Sequence, residues 1–375
     1  MSKLIVLVGP TASGKTALAC ALAERLDAEI VSADSQQCYR GLDVGTAKPT
    51  TAEQARARHH LLDIADPETQ LDAATFVQLA DRAIADIEAR GKRVIVAGGT
   101  GLWIRALLRG LVDAPGADPE FRAAFRAEVD EKGLPALYER LREKDPESAK
   151  GIRPEDRVRI ERALEVLHQS GRTMSDFQRE HRFGQGRHRA RVVLLDPPRE
   201  VLFERIQRRT HAFFADANAD ANANANANAN ANANANANAD ANADANADAN
   251  ANAPRPTFNA PLLSETRTLL SRIARIPEAA KALRIIGYAE AKAALDAGCT
   301  PDALAQAELA LAARTRQYAK RQRTWFKKDA PALDDLHAPL PVDLHAPLVR
   351  TAVDDASQPI DALCAALTEW YEASP

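Results

Sequence analysis

The sequence predicts a doubly wound α/β fold: a parallel sheet with helices on both faces, into which a helical subdomain is inserted. Three observations lead there. Short aliphatic runs recur, each closed by a polar or glycine-rich turn; helical stretches separate them; and a phosphate-binding loop of the P-loop NTPase type lies between the first run and the first helix. The runs are Leu4–Val8, Glu29–Ala33, Val94–Ala97 and Val192–Leu195, and they read as parallel strands buried between helical layers. Helical periodicity over Ala17–Leu26 follows the first run, and over Thr75–Ile87 it precedes the third. Between Asp118 and Arg189 the pattern is helical and highly charged, with no strand candidate. This stretch is the inserted subdomain, with helices expected over Pro119–Glu131, Pro135–Glu143 and Glu155–Gln169.

A chain of 375 residues with 46% hydrophobic content is long enough for one large core or two modest ones, which excludes a wholly disordered protein. The formal net charge is only -3, so any nucleic acid must be held by local basic patches and not by the global field. Cys20, Cys38, Cys299 and Cys364 form no CxxC pair and no metal-site spacing with histidine, as expected of a reduced cytosolic compartment. The start, MSKLIVLVGP, lacks a signal peptide's apolar region and cleavage site, and no apolar run approaches the roughly 18 residues of a membrane helix. A cytoplasmic monomer without a membrane partner is the expectation. Residues Ala215–Ala253 alternate Ala with Asn or Asp, which builds no core and disfavours helix; a flexible, disordered insertion is expected, with an ordered β-stack as the alternative. The tail repeats DLHAPL at Asp335–Leu340 and Asp343–Leu348, and Pro359–Ala373 is amphipathic, as suits a packed terminal helix.

Gly9, Pro10, Thr11, Ala12, Ser13, Gly14, Lys15 and Thr16 read GPTASGKT, matching G-x-x-x-x-G-K-S/T in the strand-to-helix context that the motif requires. Gly9 and Gly14 let the backbone curl so that its N–H groups point inward; Lys15 adds positive charge, and Thr16 can place its hydroxyl on Mg²⁺. The loop specifies a pyrophosphate group and not what is transferred. The second run ends in Asp34-Ser35-Gln36-Gln37, which puts Asp34 at the carboxyl edge of the sheet where open α/β sheets bind ligands. Taken alone, Asp34 has a Mg²⁺ ligand or a helix cap as its alternative readings. Gly98-Gly99-Thr100 closes the third run at the same edge and offers a hydroxyl and backbone N–H groups.

Five segments together resemble one known family: GPTASGKT, DSQQCYRGLDVGTAKP from Asp34 to Pro49, HHLLD from His59 to Asp63, GGTGLW from Gly98 to Trp103, and TRQYAKRQRTWF from Thr315 to Phe326. They are similar to the tRNA dimethylallyltransferases, over roughly residues 3–214 and 258–328. The resemblance implies that the exocyclic amine of adenosine 37 in tRNA attacks the allylic carbon of dimethylallyl diphosphate and expels pyrophosphate. The P-loop then serves as a leaving-group clamp, with Mg²⁺ as cofactor. It also implies that Asp34 accepts the amine proton, that Arg209 lies over the diphosphate, and that Thr100 contacts the leaving group or nucleotide. Arg205 and Arg208 are alternatives to Arg209 within the same charge run. Most family members turn at a glycine a few residues after the position of Phe214, where this chain has the Ala-Asn tract.

For tRNA and its anticodon loop, the resemblance points to Asp34, Ser35, Gln36, Gln37, Thr100, Arg122 and Val158-Arg159-Ile160-Glu161-Arg162. From Arg314 to Lys328 there are seven basic residues and no acidic one. On a helix, Arg316, Lys320, Arg323 and Lys327 form one stripe for phosphates, while Arg314, Tyr318, Arg321 and Trp325 form another expected to pack on the core. A merely solvated basic helix is the alternative there. The expected organisation is a P-loop core over residues 1–117, the helical tRNA-binding subdomain over 118–190, the rest of the core over 191–214 and 254–328, and a variable tail over 329–375. Two other enzymes share part of the pattern. A P-loop small-molecule kinase uses the cradle and Asp34 but not the basic helix; an isopentenyltransferase for free adenine nucleotides shares the chemistry without a tRNA grip. A binding module without catalysis leaves Lys15, Thr16 and Asp34 unexplained.

Overall fold

The structure, a computed structural model, describes residues 1–69, 71–181, 186–215, 260–272, 285–333 and 357–373. Nearly all of the Ala-Asn tract and the repeated DLHAPL segments lie outside them. Two compact units emerge, one of residues 2–104 with 190–375 and one of residues 105–189.

In the larger unit β1 (Lys3–Val8), β2 (Ala28–Ser32), β3 (His59–His60), β4 (Arg93–Gly98) and β5 (Arg189–Leu194) form one sheet in the order β3-β2-β4-β1-β5. β1 pairs in parallel with β4, and β2 in parallel with β4 and β3. The four longer strands coincide with the aliphatic runs. The edge strand β3 carries no apolar run; it is anchored by its backbone, with the Ile30 N–H donating to the Arg58 carbonyl at 2.9 Å.

The helices in chain order are α1 (Lys15–Leu26), α2 (Thr51–Arg56), α3 (Ala73–Ala89), α4 (Gly101–Arg109), α5 (Pro119–Lys132), α6 (Leu134–Lys144), α7 (Pro146–Gly151), α8 (Arg157–Ser170) and α9 (Met174–His181). They continue with α10 (Arg199–Phe214), α11 (Pro261–Ser271), α12 (Tyr288–Asp296), α13 (Pro301–Leu333) and α14 (Ser357–Glu372). α1 lays Leu18, Leu22 and Leu26 against Ile5, Ile30 and Ile95 of the sheet, and α14 adds Leu363, Leu367 and Trp370 to the same core. The end of the tail is thus part of the core of this unit, and α13 runs past the expected boundary at residue 328.

The helical unit is built by α5 to α9 around Phe125, Leu137, Leu141, Ile160 and Leu164. Aspartates start three of its helices: Asp118, Asp145 and Asp156 each accept backbone N–H bonds from the first turn of α5, α7 and α8. The unit begins at Arg105 and not at Asp118. The extra residues are tied in by Arg187, whose N–H donates to the Leu108 carbonyl at 2.9 Å and whose guanidinium donates to that of Leu107 at 3.0 Å, and by Arg162, which donates to the Gly116 carbonyl at 3.1 Å. All four cysteines are buried and free. No helix among the described residues is long and apolar enough to cross a membrane.

Candidate active site

The loop between β1 and α1 is shaped by two glycines. Gly9 has φ +150, and a Cβ there would lie 2.4 Å from the Leu195 carbonyl oxygen; Gly14, with φ +95, caps α1. The free N–H groups at the start of α1 therefore face the loop, an arrangement that binds anions. Lys15 opens the helix and donates from Nζ to the carbonyls of Gly9 at 2.9 Å and Pro10 at 2.8 Å. Burial lowers its pKa to about 8, with the Asp34 charge opposing and the Arg209 charge adding to the effect. Among the described residues the buried Ser13 hydroxyl of the same loop has no hydrogen-bond partner, as fits a cradle built for oxygens of a bound group.

Asp34 follows β2 directly and faces the loop. One carboxylate oxygen accepts the Gln36 N–H at 2.9 Å. Burial raises its pKa above the ordinary aspartate range, with the Gln36 N–H and the Lys15 and Arg209 charges opposing. Thr100, expected to touch ligand, instead accepts the Ser35 N–H at 2.9 Å and donates to the Ser35 hydroxyl at 3.2 Å. Its hydroxyl fixes the turn that presents Asp34. The Gln37 amide donates to the Ala47 carbonyl at 3.0 Å, tying the DVGTAKP segment to that turn.

A cavity of about 480 Å³ joins these groups, lined by the P-loop from Thr11 to Ala17, by Asp34, Gln36 and Gln37, and by Arg205, Arg208 and Arg209 of α10. That is the size of a small-molecule site. The arginines differ in placement. Arg209 reaches the Thr11 hydroxyl at 2.7 Å, and burial lowers its pKa. Arg205 donates to the Ser13 carbonyl at 3.3 Å, while Arg208 is mostly exposed and lies 3.9 Å from Glu204. Thr16 lines the cavity, so its hydroxyl is available to a cation carried by a phosphate group. Among the described residues no group of three or more His, Cys, Asp or Glu side chains is placed to hold a metal.

The basic helix α13 departs from the expected stripes. Its buried face is Leu311, Ala312, Ala319, Gln322 and Phe326; Arg321 is exposed, whereas Arg314, though exposed, reaches the buried carboxylate of Glu290. Of the expected phosphate stripe, Lys320 is exposed and Arg316 lies over the Phe203 ring at 5.6 Å. Arg323 and Lys327 both pair with Asp196, which is 8% exposed. In the helical unit Arg122 makes a two-pronged bond to the buried Glu165, at 2.7 and 3.1 Å, and Arg162 reaches the same carboxylate at 2.7 Å. Their guanidinium groups are thereby fixed in direction while about a third exposed. Val158 is 73% exposed and Arg159 is exposed, but Ile160 is fully buried, so packing is its part.

Three residues of the larger unit escape sequence reasoning. Gln322, 6% exposed, accepts the Thr11 N–H at 2.8 Å and donates to the Gly99 carbonyl at 2.9 Å. Glu265 of α11 accepts the N–H groups of Asp43, Val44 and Gly45 at 2.6, 2.9 and 3.1 Å, together with the Tyr288 hydroxyl. Asp196 is the third. Apolar burial marks none of them, and their partners are distant in the chain.

Comparison with known proteins gives a consistent result. The family model described as IPP transferase matches residues 37–237 and 255–329. A protein named tRNA dimethylallyltransferase from Anaeromyxobacter dehalogenans strain 2CP-C is 46% identical over 333 residues, covering 87% of this chain and 92% of its own. One of the same name from Geobacter metallireducens is 41% identical over 329 residues, covering 88% and 91%. Among solved structures, the full-length tRNA isopentenylpyrophosphate transferase of Bacillus halodurans is 31% identical with a TM-score of 0.53, over 88% of each chain. A eukaryotic dimethylallyltransferase acting on tRNA shares the fold, with a TM-score of 0.71 at 22% identity over 100% of this chain and 81% of that one.

Proposed function

We infer the activity from the fact that this chain belongs to the IPP transferase family: it is a prenyltransferase that places a dimethylallyl group on tRNA. In our reading the donor is dimethylallyl diphosphate and the acceptor is the exocyclic amine of adenosine 37 in the anticodon loop. The observation that carries this is one cavity with a cationic P-loop, Lys15 and Arg209 together, beside the half-buried carboxylate of Asp34.

The chemistry follows from those groups. The allylic C–O bond breaks, the electron pair leaves with pyrophosphate, and the amine nitrogen forms the new bond to carbon. Negative charge gathers on the leaving oxygens, where the N–H groups of α1, Lys15 and Arg209 stabilise it. The amine sheds a proton as its bond forms, and Asp34 accepts it. A burial-raised pKa makes this carboxylate, in its ionised form, a better base than an ordinary aspartate. Mg²⁺ supplies further positive charge to the diphosphate when bound, with Thr16 as its hydroxyl ligand. A set this poor in protein ligands suits Mg²⁺, which keeps waters and binds largely through substrate phosphates.

Binding of tRNA is assigned to Ser35, Gln36, Gln37, to the exposed Arg159 and the oriented Arg122 and Arg162, and to Arg316 and Lys320 on α13. The target base must leave its stack to reach Asp34, at a cost of a few kcal/mol. The enzyme acts as a monomer in the cytoplasm.

The deciding experiment incubates the purified chain with dimethylallyl diphosphate, Mg²⁺ and unmodified tRNA bearing adenosine at position 37, beside Asp34→Ala. Mass spectrometry should find prenylated adenosine with the parent and almost none with the variant. No product, with ATP hydrolysed instead, returns the chain to the kinase reading.

A further inference from the structure

We propose that Gln322 is a positioning residue that holds the leaving-group clamp and the base in register; this rests on the transferase reading above and adds to it a residue that acts through others. Its side-chain amide spans two loops at the sheet edge. The oxygen accepts the Thr11 N–H at 2.8 Å, and the nitrogen donates to the Gly99 carbonyl at 2.9 Å. Thr11 offers a donor and Gly99 an acceptor, so one orientation of the amide satisfies both.

Each contact leads on to a reacting group. Thr11, held by its backbone, accepts Arg209 on its hydroxyl at 2.7 Å, so the bond to Gln322 fixes the arginine over the cradle. Gly99 precedes Thr100, whose hydroxyl accepts the Ser35 N–H at 2.9 Å, next to Asp34. One buried amide therefore links the clamp to the base. It also takes the Thr11 N–H out of the cradle and leaves the diphosphate to the N–H groups further along the loop. The glycine at 99 matches this role. A Cβ there would lie 2.3 Å from the Gln322 amide nitrogen, while the other nearest atoms, at 3.5 Å and 3.8 Å, are in ordinary contact. An alkyl side chain at 322 would fill the space and leave two polar backbone groups unpaired.

A misplacement of about 1 Å between reacting groups can cost about 10²-fold in rate. The test uses the full chain, dimethylallyl diphosphate and tRNA, and measures single-turnover transfer, tRNA affinity by filter binding, and melting by circular dichroism. Gln322→Met and Gly99→Ala should each slow transfer by about 10- to 100-fold with tRNA affinity within about threefold of the parent. Gln322→Ala, measured alone and combined with Gly99→Ala, should give a double variant no slower than the slower of its two singles, because both changes break the same bond. Gln322→Glu keeps shape and acceptor but lacks the donor to Gly99; should Gln322→Met fail to fold, it should show the same slowing at unchanged tRNA affinity. Transfer by Gln322→Met within about threefold of the parent would overturn the proposal, as would a slowing matched by an equal loss of tRNA affinity or multiplicative losses in the double variant. If the parent itself transfers nothing, the transferase reading falls; if the parent is active and the variants match it, only the role of Gln322 falls.

Discussion

Lys15 and Asp34 face one cavity, and burial disfavours the charge on each, lowering the pKa of the lysine and raising that of the aspartate. For the free enzyme, burial brings Lys15 down to about 8, so its positive charge is lost as pH rises through that value. Asp34 is raised, so its base form is lost as pH falls through a value above the ordinary aspartate range. The profile of kcat/KM for the diphosphate donor reports the free enzyme, and it should be bell-shaped with an alkaline limb near 8. In the kcat profile that limb should lie higher, because bound diphosphate favours the charged lysine. Rates from about pH 5 to about pH 10 test this, and a kcat/KM still flat above about pH 9 would contradict it. Asp34→Asn, which keeps the shape and removes the base, should lower single-turnover transfer by about 10² to 10⁴ with little change in tRNA affinity. Asp34 and Lys15 could be found from sequence because each sits at the end of an apolar run or inside a fixed motif. Gln322 could not: its only mark is burial, and its partners lie 311 and 223 residues away. Thr100 was found for its place at the sheet edge, but its bonds to Ser35 could not be read from the sequence.

The elements that sequence reasoning recovers share a local cause. β1, β2, β4 and β5 each carry an aliphatic run, and α3, α5 and α8 begin at aspartates whose side chains cap them. β3 was missed because two histidines carry no strand pattern. One, His60, bonds through Nε2 to Glu29 of β2 at 2.6 Å, a tertiary contact. The faces of α13 were misassigned for a related reason. Counting charges at helical spacing gives two stripes, but it does not reveal that Arg323 and Lys327 both pair with Asp196, just past the end of β5. The DVGTAKP segment depends on another element altogether. Its three consecutive N–H groups converge on the Glu265 carboxylate of α11, and Tyr288 at the start of α12 donates to the same group. Hydrogen bonds to a charged acceptor contribute about 1.5–3 kcal/mol where they are sheltered, and less at the exposed Asp43. Glu265→Ala should therefore destabilise the unit by about 1–3 kcal/mol in urea unfolding, and Tyr288→Phe by about 1 kcal/mol because three backbone donors remain. Because the segment lines the cavity with Gly45, Thr46 and Ala47, Glu265→Ala should also raise KM for the donor. An unchanged midpoint and KM would mean that the segment holds its shape unaided.

The Ala-Asn tract tests how much of this chain the activity needs. The helices on either side of it are packed: Phe214 at the end of α10 and Leu262 and Leu263 at the start of α11 are all buried. Arg209 is on α10, one turn and a half before the tract. Between Phe214 and Ala260 lie 45 residues, and deleting Ala215–Ala253 leaves six, Pro254–Asn259. Loop-closure entropy varies as the logarithm of length, so the shorter link should favour the folded state by about 2 kcal/mol unless it is too short to span the gap without strain. The family model matches on both sides of the tract's end, at residues 37–237 and 255–329. The clamp and base are assembled from residues 9–16, 34, 99–100, 209 and 322, none of them in the deleted segment. The deletion variant should therefore transfer the dimethylallyl group within about threefold of the parent rate and unfold at an equal or higher urea concentration. A folded deletion variant without activity would give the tract a part in catalysis. A variant that loses Arg209 function alone, seen as a raised KM for the donor with unchanged tRNA affinity, would instead mean that the end of α10 requires a longer connection to keep its arginine over the cradle.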